Sequence, residues 1–284
     1  MRKFKISSLA ARRMMEAAKP APEKDRKQDS AAAEKGPEQA EKRSLRVTTR
    51  TDVGLVRKNN QDAVILGEGL MGVADGMGGH NGGETASAGA RDGLLRILAG
   101  RKPDQDALEE AVRTVNLELW KQQEEDEALS GMGTTLSVIW PADEKMLVAH
   151  VGDSRIYLLR DGTLRQVTRD HSMVADMVRR GLLTEEQAAV HPMRNYITRA
   201  VGTEPQIDVD CLAFERQTGD RWLICSDGLH GLLSREELQE LMSGESIEEA
   251  ADEMMREALD RGGRDNISLV LISDEAPAAG EVAE

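Results

Sequence analysis

The chain has 284 residues, a formal net charge of −14, 39% hydrophobic residues and only 2% aromatic ones. That length buries a substantial core in one large domain or two small ones, and the core must be aliphatic. The acidic balance argues against nucleic-acid binding, which needs an excess of Lys and Arg, and no stretch nears the roughly eighteen apolar residues of a membrane span.

The charge is uneven. Residues 1–43 carry 12 Lys and Arg against 7 Asp and Glu, a balance of +5, and the remainder carries −19. Residues 1–44 read as a basic tail. Ile6, Leu9, Ala10, Met14 and Ala17 fall at helical spacing with Arg12 and Arg13 opposite, a candidate amphipathic contact with a membrane surface or a partner. Composition favours a disordered extension over that helix. Residues 19–44 read as linker. The opening apolar run is interrupted too early for a signal peptide, so the expected compartment is the cytoplasm. Cys211 and Cys225 lie in apolar runs and are expected as buried free thiols of a reducing compartment.

The globular pattern spans residues 45–273. Leu45–Thr51 alternates as a strand. Ala63–Leu66 and Leu70–Ala74 pair around Gly67-Glu-Gly69. Helical periodicity covers Glu84–Leu98 and Asp104–Glu125. Thr134–Trp140 and Lys145–Val151 are strands joined by a Pro-Ala-Asp-Glu turn. Arg155–Arg160 and Leu164–Val167 form a hairpin over Asp161-Gly162. A helical, loop-rich insert covers residues 172–198. Strands return at Ile207–Phe214 and Arg221–Cys225, helices at Arg235–Met242 and Ile247–Arg261, and a last strand at Asn266–Ser273. Residues 274–284 read as a loose end. Strands and helices come in runs with hairpin-length links, which predicts α+β with antiparallel sheets.

Five acidic, glycine-flanked segments carry the chemistry: Thr51-Asp-Val-Gly-Leu-Val-Arg-Lys-Asn-Asn-Gln-Asp62, Val73-Ala-Asp-Gly-Met-Gly-Gly-His80, Val151-Gly-Asp-Ser-Arg155, Cys225-Ser-Asp-Gly-Leu229 and Arg264-Asp-Asn-Ile-Ser268. Asp75-Gly76 and Asp227-Gly228 end apolar runs, where carboxylates facing one crevice make metal ligands. Asp161-Gly162 is read as a turn only. Residues 76–83 lack the Gly-Lys-Ser/Thr of a phosphate loop and the spacing of a dinucleotide fingerprint. No His-x-x-x-His or Cys-x-x-Cys set points to zinc. Oxygen ligands alone favour a hard cation, Mg²⁺ or Mn²⁺.

In order and spacing these segments resemble the metal-dependent (PPM) type 2C Ser/Thr protein phosphatases, bacterial branch. Gly133-Thr-Thr135, Thr168-Arg-Asp-His-Ser172 and Ile197-Thr-Arg-Ala-Val-Gly202 extend the match. The resemblance implies a β-sandwich of two mainly antiparallel sheets flanked by helices, with a dinuclear metal site at one end. It implies that Asp75 bridges two Mn²⁺ or Mg²⁺ ions and that the Gly76 carbonyl and Asp62 complete one. Asp227 and Asp265 would hold the other ion, and Asp153 with Asp227 a third. Arg57 would grip the substrate phosphate, Asn266 would support the site, and residues 172–198 would be a flap beside it. The implied activity is hydrolysis of phosphoserine and phosphothreonine on proteins by a metal-bridging water, opposing a bacterial Ser/Thr kinase. A phosphoprotein-binding scaffold and a specialist for one regulatory partner are the competing readings.

Histidines are treated separately. Met77 stands where eukaryotic relatives have a histidine proposed as leaving-group acid. His80 is a candidate helper or substrate contact, with loop shaping as the equal alternative. His150 is expected as a hydrogen-bonded core residue and His171 as packing before the flap, while His191 and His230 carry no signal. Ser154 and Arg155 are expected only to close the turn after Asp153.

Overall fold

The computed structural model describes residues 44–78 and 82–276. The tail, His80 and residues 277–284 lie outside them. In chain order come β1 (Ser44–Asp52), β2 (Asp62–Gly67), β3 (Leu70–Met77), α1 (Gly82–Leu98), α2 (Gln105–Glu125), β4 (Gly133–Thr134), β5 (Leu136–Pro141), β6 (Lys145–Val151), β7 (Arg155–Arg160) and β8 (Thr163–Gln166). They are followed by α3 (Met173–Arg179), α4 (Glu185–Ala189), β9 (Asp210–Glu215), β10 (Arg221–Cys225), α5 (Asp227–His230), α6 (Arg235–Met242), α7 (Ile247–Asp260) and β11 (Ile267–Glu275).

The strands make two antiparallel sheets. One has the order β1-β11-β10-β7-β8 and the other β2-β3-β5-β6-β9, with β4 also on β3. Between the sheets lie Val73, Ile139, Val148, Ile156, Trp222, Ile224, Val270 and others, all buried. Leu94, Leu98, Leu108, Val112 and Leu119 of α1 and α2 cover the second sheet. Leu229, Leu238, Met242, Ile247 and Met254 of α5–α7 cover the first. The result is the expected α-β-β-α sandwich, with an almost wholly aliphatic core.

Local chemistry sets the helix ends. Asp104 caps α2 by accepting from the Ala107 amide. Ser234 and Glu237 form a capping box on α6, and Thr184 and Gln187 one on α4. Asp161 and Gly162 both adopt positive φ, 51° and 71°, as a two-residue hairpin turn needs.

Several expectations need correction. The strand expected over Thr134–Trp140 breaks at Thr135, whose amide turns to the Asp75 carbonyl at 2.8 Å. The strand expected from Ile207 begins at Asp210; the Ile207 carbonyl instead accepts from Arg113 at 2.7 Å. Of the two free thiols, Cys225 is buried but Cys211 is only half-buried.

The chain end was also expected to loosen at Asp274. Instead β11 runs on to Glu275, and the fully buried Asp274 receives Arg216 through two bonds of 2.8 and 3.1 Å. Removing one partner of a buried pair strands the other, at about 3 kcal/mol. Asp274→Ala should therefore lower the melting temperature by about 6–12 °C for a domain of this size. Replacing both partners with apolar side chains should cost much less, and equal losses in calorimetry would contradict this account.

Candidate active site

Five carboxylates gather at one end of the two sheets. Asp62 opens β2 and sits directly across from Asp75, near the end of β3. Asp153 follows β6, Asp227 follows β10, and Asp265 precedes β11. The opposite strand ends carry an apolar cavity of about 340 Å³ lined by Leu45, Val47, Leu66, Leu70 and Met71, away from any of this chemistry.

The loop between β1 and β2 is stapled by Asn266. Its Nδ2 donates to the Val53 and Asn59 carbonyls, both at 3.0 Å, and its Oδ1 accepts from the Gln61 amide at 2.8 Å. Its own amide donates to Asp265 Oδ1 at 2.9 Å. Only an amide side chain offers donors and an acceptor together here. The packing behind is tight: a Cβ at Gly228 would lie 2.0 Å from the Asn266 carbonyl, and one at Gly76 2.0 Å from the Gly83 carbonyl. Arg57, half-exposed at the loop tip, donates to Asp265 Oδ2 at 2.7 Å.

Hydroxyls orient the inner carboxylates. Ser226 donates to Asp62 Oδ2 at 2.8 Å, while Asp62 Oδ1 is buried with no partner. Thr135 Oγ1 accepts from the Asp75 amide at 2.9 Å. The Asp75 carbonyl accepts from the Thr135 amide and the Thr134 hydroxyl at 2.8 and 2.9 Å.

Crowding and burial show in the titration of these groups. Burial, then the charges of Asp62, Asp227, Asp153 and Asp265, push the Asp75 carboxyl well above its usual range. Burial lifts Asp62 to about 6 against the opposing hydrogen bond from Ser226. Burial and Asp227 lift Asp153 to about 7. Asp227 is raised by burial and by Asp265. Like charges set directly across a strand pair oppose folding unless something compensates them.

The Asp153 loop is bolted to the segment that leads into residues 172–198. Arg155 clasps Asp170 through three bonds of 2.7–3.1 Å. Burial opposes the Asp170 charge, yet Arg155 holds its pKa below the usual range. His171 Nδ1 accepts from the Gly152 amide at 3.0 Å, and the His171 amide donates to the Gly152 carbonyl at 2.8 Å. His171 Nε2 lies 3.0 Å from Arg199 Nη1 and 3.2 Å from Asp210 Oδ2. His230 Nε2 donates to the Asp153 carbonyl at 3.0 Å.

These contacts correct two readings. Arg155 does not merely close a turn; it reaches fifteen residues onward. His230 is a neighbour of the site that went unnoticed; its place three residues after Asp227, on one helical turn, was the available signal. His150 is the expected core histidine: Nδ1 pairs with the Ser137 hydroxyl at 2.9 Å and Nε2 donates to the Arg169 carbonyl at 3.0 Å. His171 packs before the flap as expected, with Ser172 capping α3.

The donor set suits a hard divalent cation: oxygen ligands, net negative charge, and a buried oxygen of Asp62 without a partner. Among the described residues, no three His, Cys, Asp or Glu side chains are already closed into a cage.

The protein phosphatase 2C profile matches residues 55–271. The serine/threonine protein phosphatase PstP of Mycobacterium tuberculosis is 41% identical over 230 residues, which cover 80% of this chain and 44% of that protein. The chain thus spans less than half the length of PstP. The serine/threonine phosphatase stp of Listeria monocytogenes is 36% identical over 250 residues, covering 82% of this chain and 98% of that protein. The solved catalytic domain of PstP in complex with two manganese ions superposes with a TM-score of 0.76 at 38% identity, covering 81% of this chain and 98% of that one. The profile spans well over half of the chain, and with these relatives it establishes that the chain belongs to the protein phosphatase 2C family.

Proposed function

We propose that the chain is a Mn²⁺- or Mg²⁺-dependent protein phosphatase that hydrolyses phosphoserine and phosphothreonine on proteins. The observation that carries this is the cluster of mutually repelling carboxylates, most of them largely desolvated, beside a half-exposed arginine. Asp75, Asp62 and the Gly76 carbonyl would hold one cation and Asp75, Asp227 and Asp265 another, with Asp153 and Asp227 offering a third place. Bound there, the ions supply Lewis acidity and an activated water.

The chain's own residues do the remaining work. Ser226 fixes one oxygen of Asp62 and leaves the other free to ligate. Arg57 offers a planar fork suited to two phosphate oxygens, and Asp265 orients it in the absence of substrate. Asn266 holds the loop that carries Arg57. A covalent cysteine route is disfavoured, because burial pushes the Cys225 thiol up to about 12 and that of Cys211 to about 11. The partners are phosphoproteins and a Ser/Thr kinase that makes them. Among the described residues no helix is long and apolar enough to cross a membrane. A cytoplasmic location and a membrane- or partner-contacting tail belong to this proposal.

Three outcomes are expected. Phosphate release from a phosphothreonine peptide should require Mn²⁺, stop with EDTA, and fall by about 10²–10³-fold in Asp75→Asn. A folded wild type without metal-dependent release would shift the weight to a phosphoprotein-binding scaffold.

Mn²⁺ at about a hundred times its dissociation constant should stabilise the fold by about 2.7 kcal/mol. Thermal melts that do not move would count against the site.

The pH dependence of the metal-free protein has a definite sign. Folded-state pKa values of about 6 for Asp62 and about 7 for Asp153 lie above the unfolded carboxylate value of about 3.9. Such groups favour the fold fully below the unfolded value and lose that contribution as pH rises through the folded one. Melting in EDTA should therefore weaken from pH 5 to pH 8, and the slope should flatten in Asp62→Asn. A melting temperature that rises over this window would contradict the buried charge cluster.

A further inference from the structure

We propose that Leu55 and Val56 form an apolar platform that seats a large aliphatic or aromatic side chain of the substrate polypeptide, close to its phosphorylated residue. The inference deepens the phosphatase reading and rests on it.

Both side chains face solvent, at 68% and 66% exposure. Seven large apolar side chains are exposed among the described residues, and five of them fall in two segments, this loop and residues 172–198. Leu55 and Val56 are the only adjacent pair of the seven. Exposed single hydrophobics need no explanation, but a contiguous pair beside a functional group does.

The loop holds the pair rigidly. The Leu55 amide donates to the Gly263 carbonyl at 2.7 Å, and the Gly54 amide donates to Asp52 Oδ1 at 2.8 Å. Asn266 ties down Val53 and Asn59 on either side. Gly54 has φ of 76°, and a Cβ there would lie 2.3 Å from the Asp265 carbonyl, so the loop is pressed onto the strand that follows. A preordered apolar surface loses little freedom when it is covered, which favours binding.

Geometry and charge identify the occupant. Arg57, the next residue, points its guanidinium at Asp265 among the carboxylates. Consecutive Cα atoms are about 3.8 Å apart, and same-face side chains of an extended peptide about 6.6 Å apart. Val56 and Leu55 immediately precede Arg57 on the same stapled loop, so the neighbours of a phosphorylated residue held by Arg57 are the substrate groups best placed to reach them. The loop itself carries Arg57 and Lys58, so charge next to the pair draws the phosphate, and an apolar contact beside it adds local affinity without charge.

The test uses the full chain with Mn²⁺ and two phosphothreonine peptides that differ only by Leu or Gln two residues from the phosphate, made for each side. A third substrate, p-nitrophenyl phosphate, has no flanking residues. The wild type should prefer a Leu peptide by about tenfold in kcat/KM, mainly through KM, as burial of one such contact predicts. In the double variant L55S/V56S the preference should fall below twofold, while p-nitrophenyl phosphate turnover stays within twofold. Val56→Phe, which enlarges the platform, should raise the preference.

An unbiased wild type, or a double variant that keeps the bias, overturns the platform. So does an equal loss on p-nitrophenyl phosphate, which would make the pair part of the site's scaffold. Self-association of the wild type that disappears in the double variant would reassign the surface to a second copy of the chain. A wild type that hydrolyses none of the three esters overturns the phosphatase reading itself, a separate failure.

Discussion

Electrostatic repulsion at one end of the sandwich is the constraint around which the rest is organised. Asp62 and Asp75 face each other across a strand pair, and Asp153, Asp227 and Asp265 crowd the same end. Without a cation these charges oppose folding, and burial raises the cost further. Two thick aliphatic layers and the inter-sheet core supply the opposing stability. Strongly shifted carboxylates gathered in this way are a mark of functional sites.

Holding that cluster in register falls to the side chains packed around it. Asn266 ties the Arg57 loop to the start of β11. Thr134 and Thr135 tie Asp75 to the break before β5. Arg155–Asp170 and His171–Gly152 tie the Asp153 loop to the entry of the flap. Burial and then Arg199 push the His171 pKa down, so this joint stays neutral and does not add to the charge. Each tie joins a carboxylate-bearing turn to an element distant in sequence, so the ends of the two sheets are cross-linked to one another.

Much of the fold was legible because strands and hairpins write themselves locally. Lys145–Val151, Arg155–Arg160, Arg221–Cys225 and Arg235–Met242 have the bounds that alternation and helical periodicity gave, and Asp161-Gly162 is the turn it looked like. The failures are non-local. α5 is four residues long, too short to show a period. Asp274 looked like a polar tail because its partner, Arg216, lies 58 residues away. The reach of Arg155 to Asp170 was invisible for the same reason, and for the contact of His230 with Asp153 only its place one helical turn after Asp227 gave a hint. Nothing in the pattern alone made the five acidic segments converge; the family resemblance supplied that, and the folded chain brings the five aspartates to one end.

The pairing of the first strand with the last has a consequence for biosynthesis. β1 lies along β11 over its whole length, from Ser44 against Glu275 to Asp52 against Ile267. β11 also separates β1 from β10, so the first sheet has no continuous middle until that strand exists. Asp265 and Asn266 arrive just ahead of it. A ribosome-bound chain therefore carries no finished site until its last strand emerges. Such long-range pairing also folds slowly, because loop closure must precede any reward. The first strand must wait, unpaired, while all the chain between it and β11 is made, and during that wait its exposed edge is open to non-native pairing.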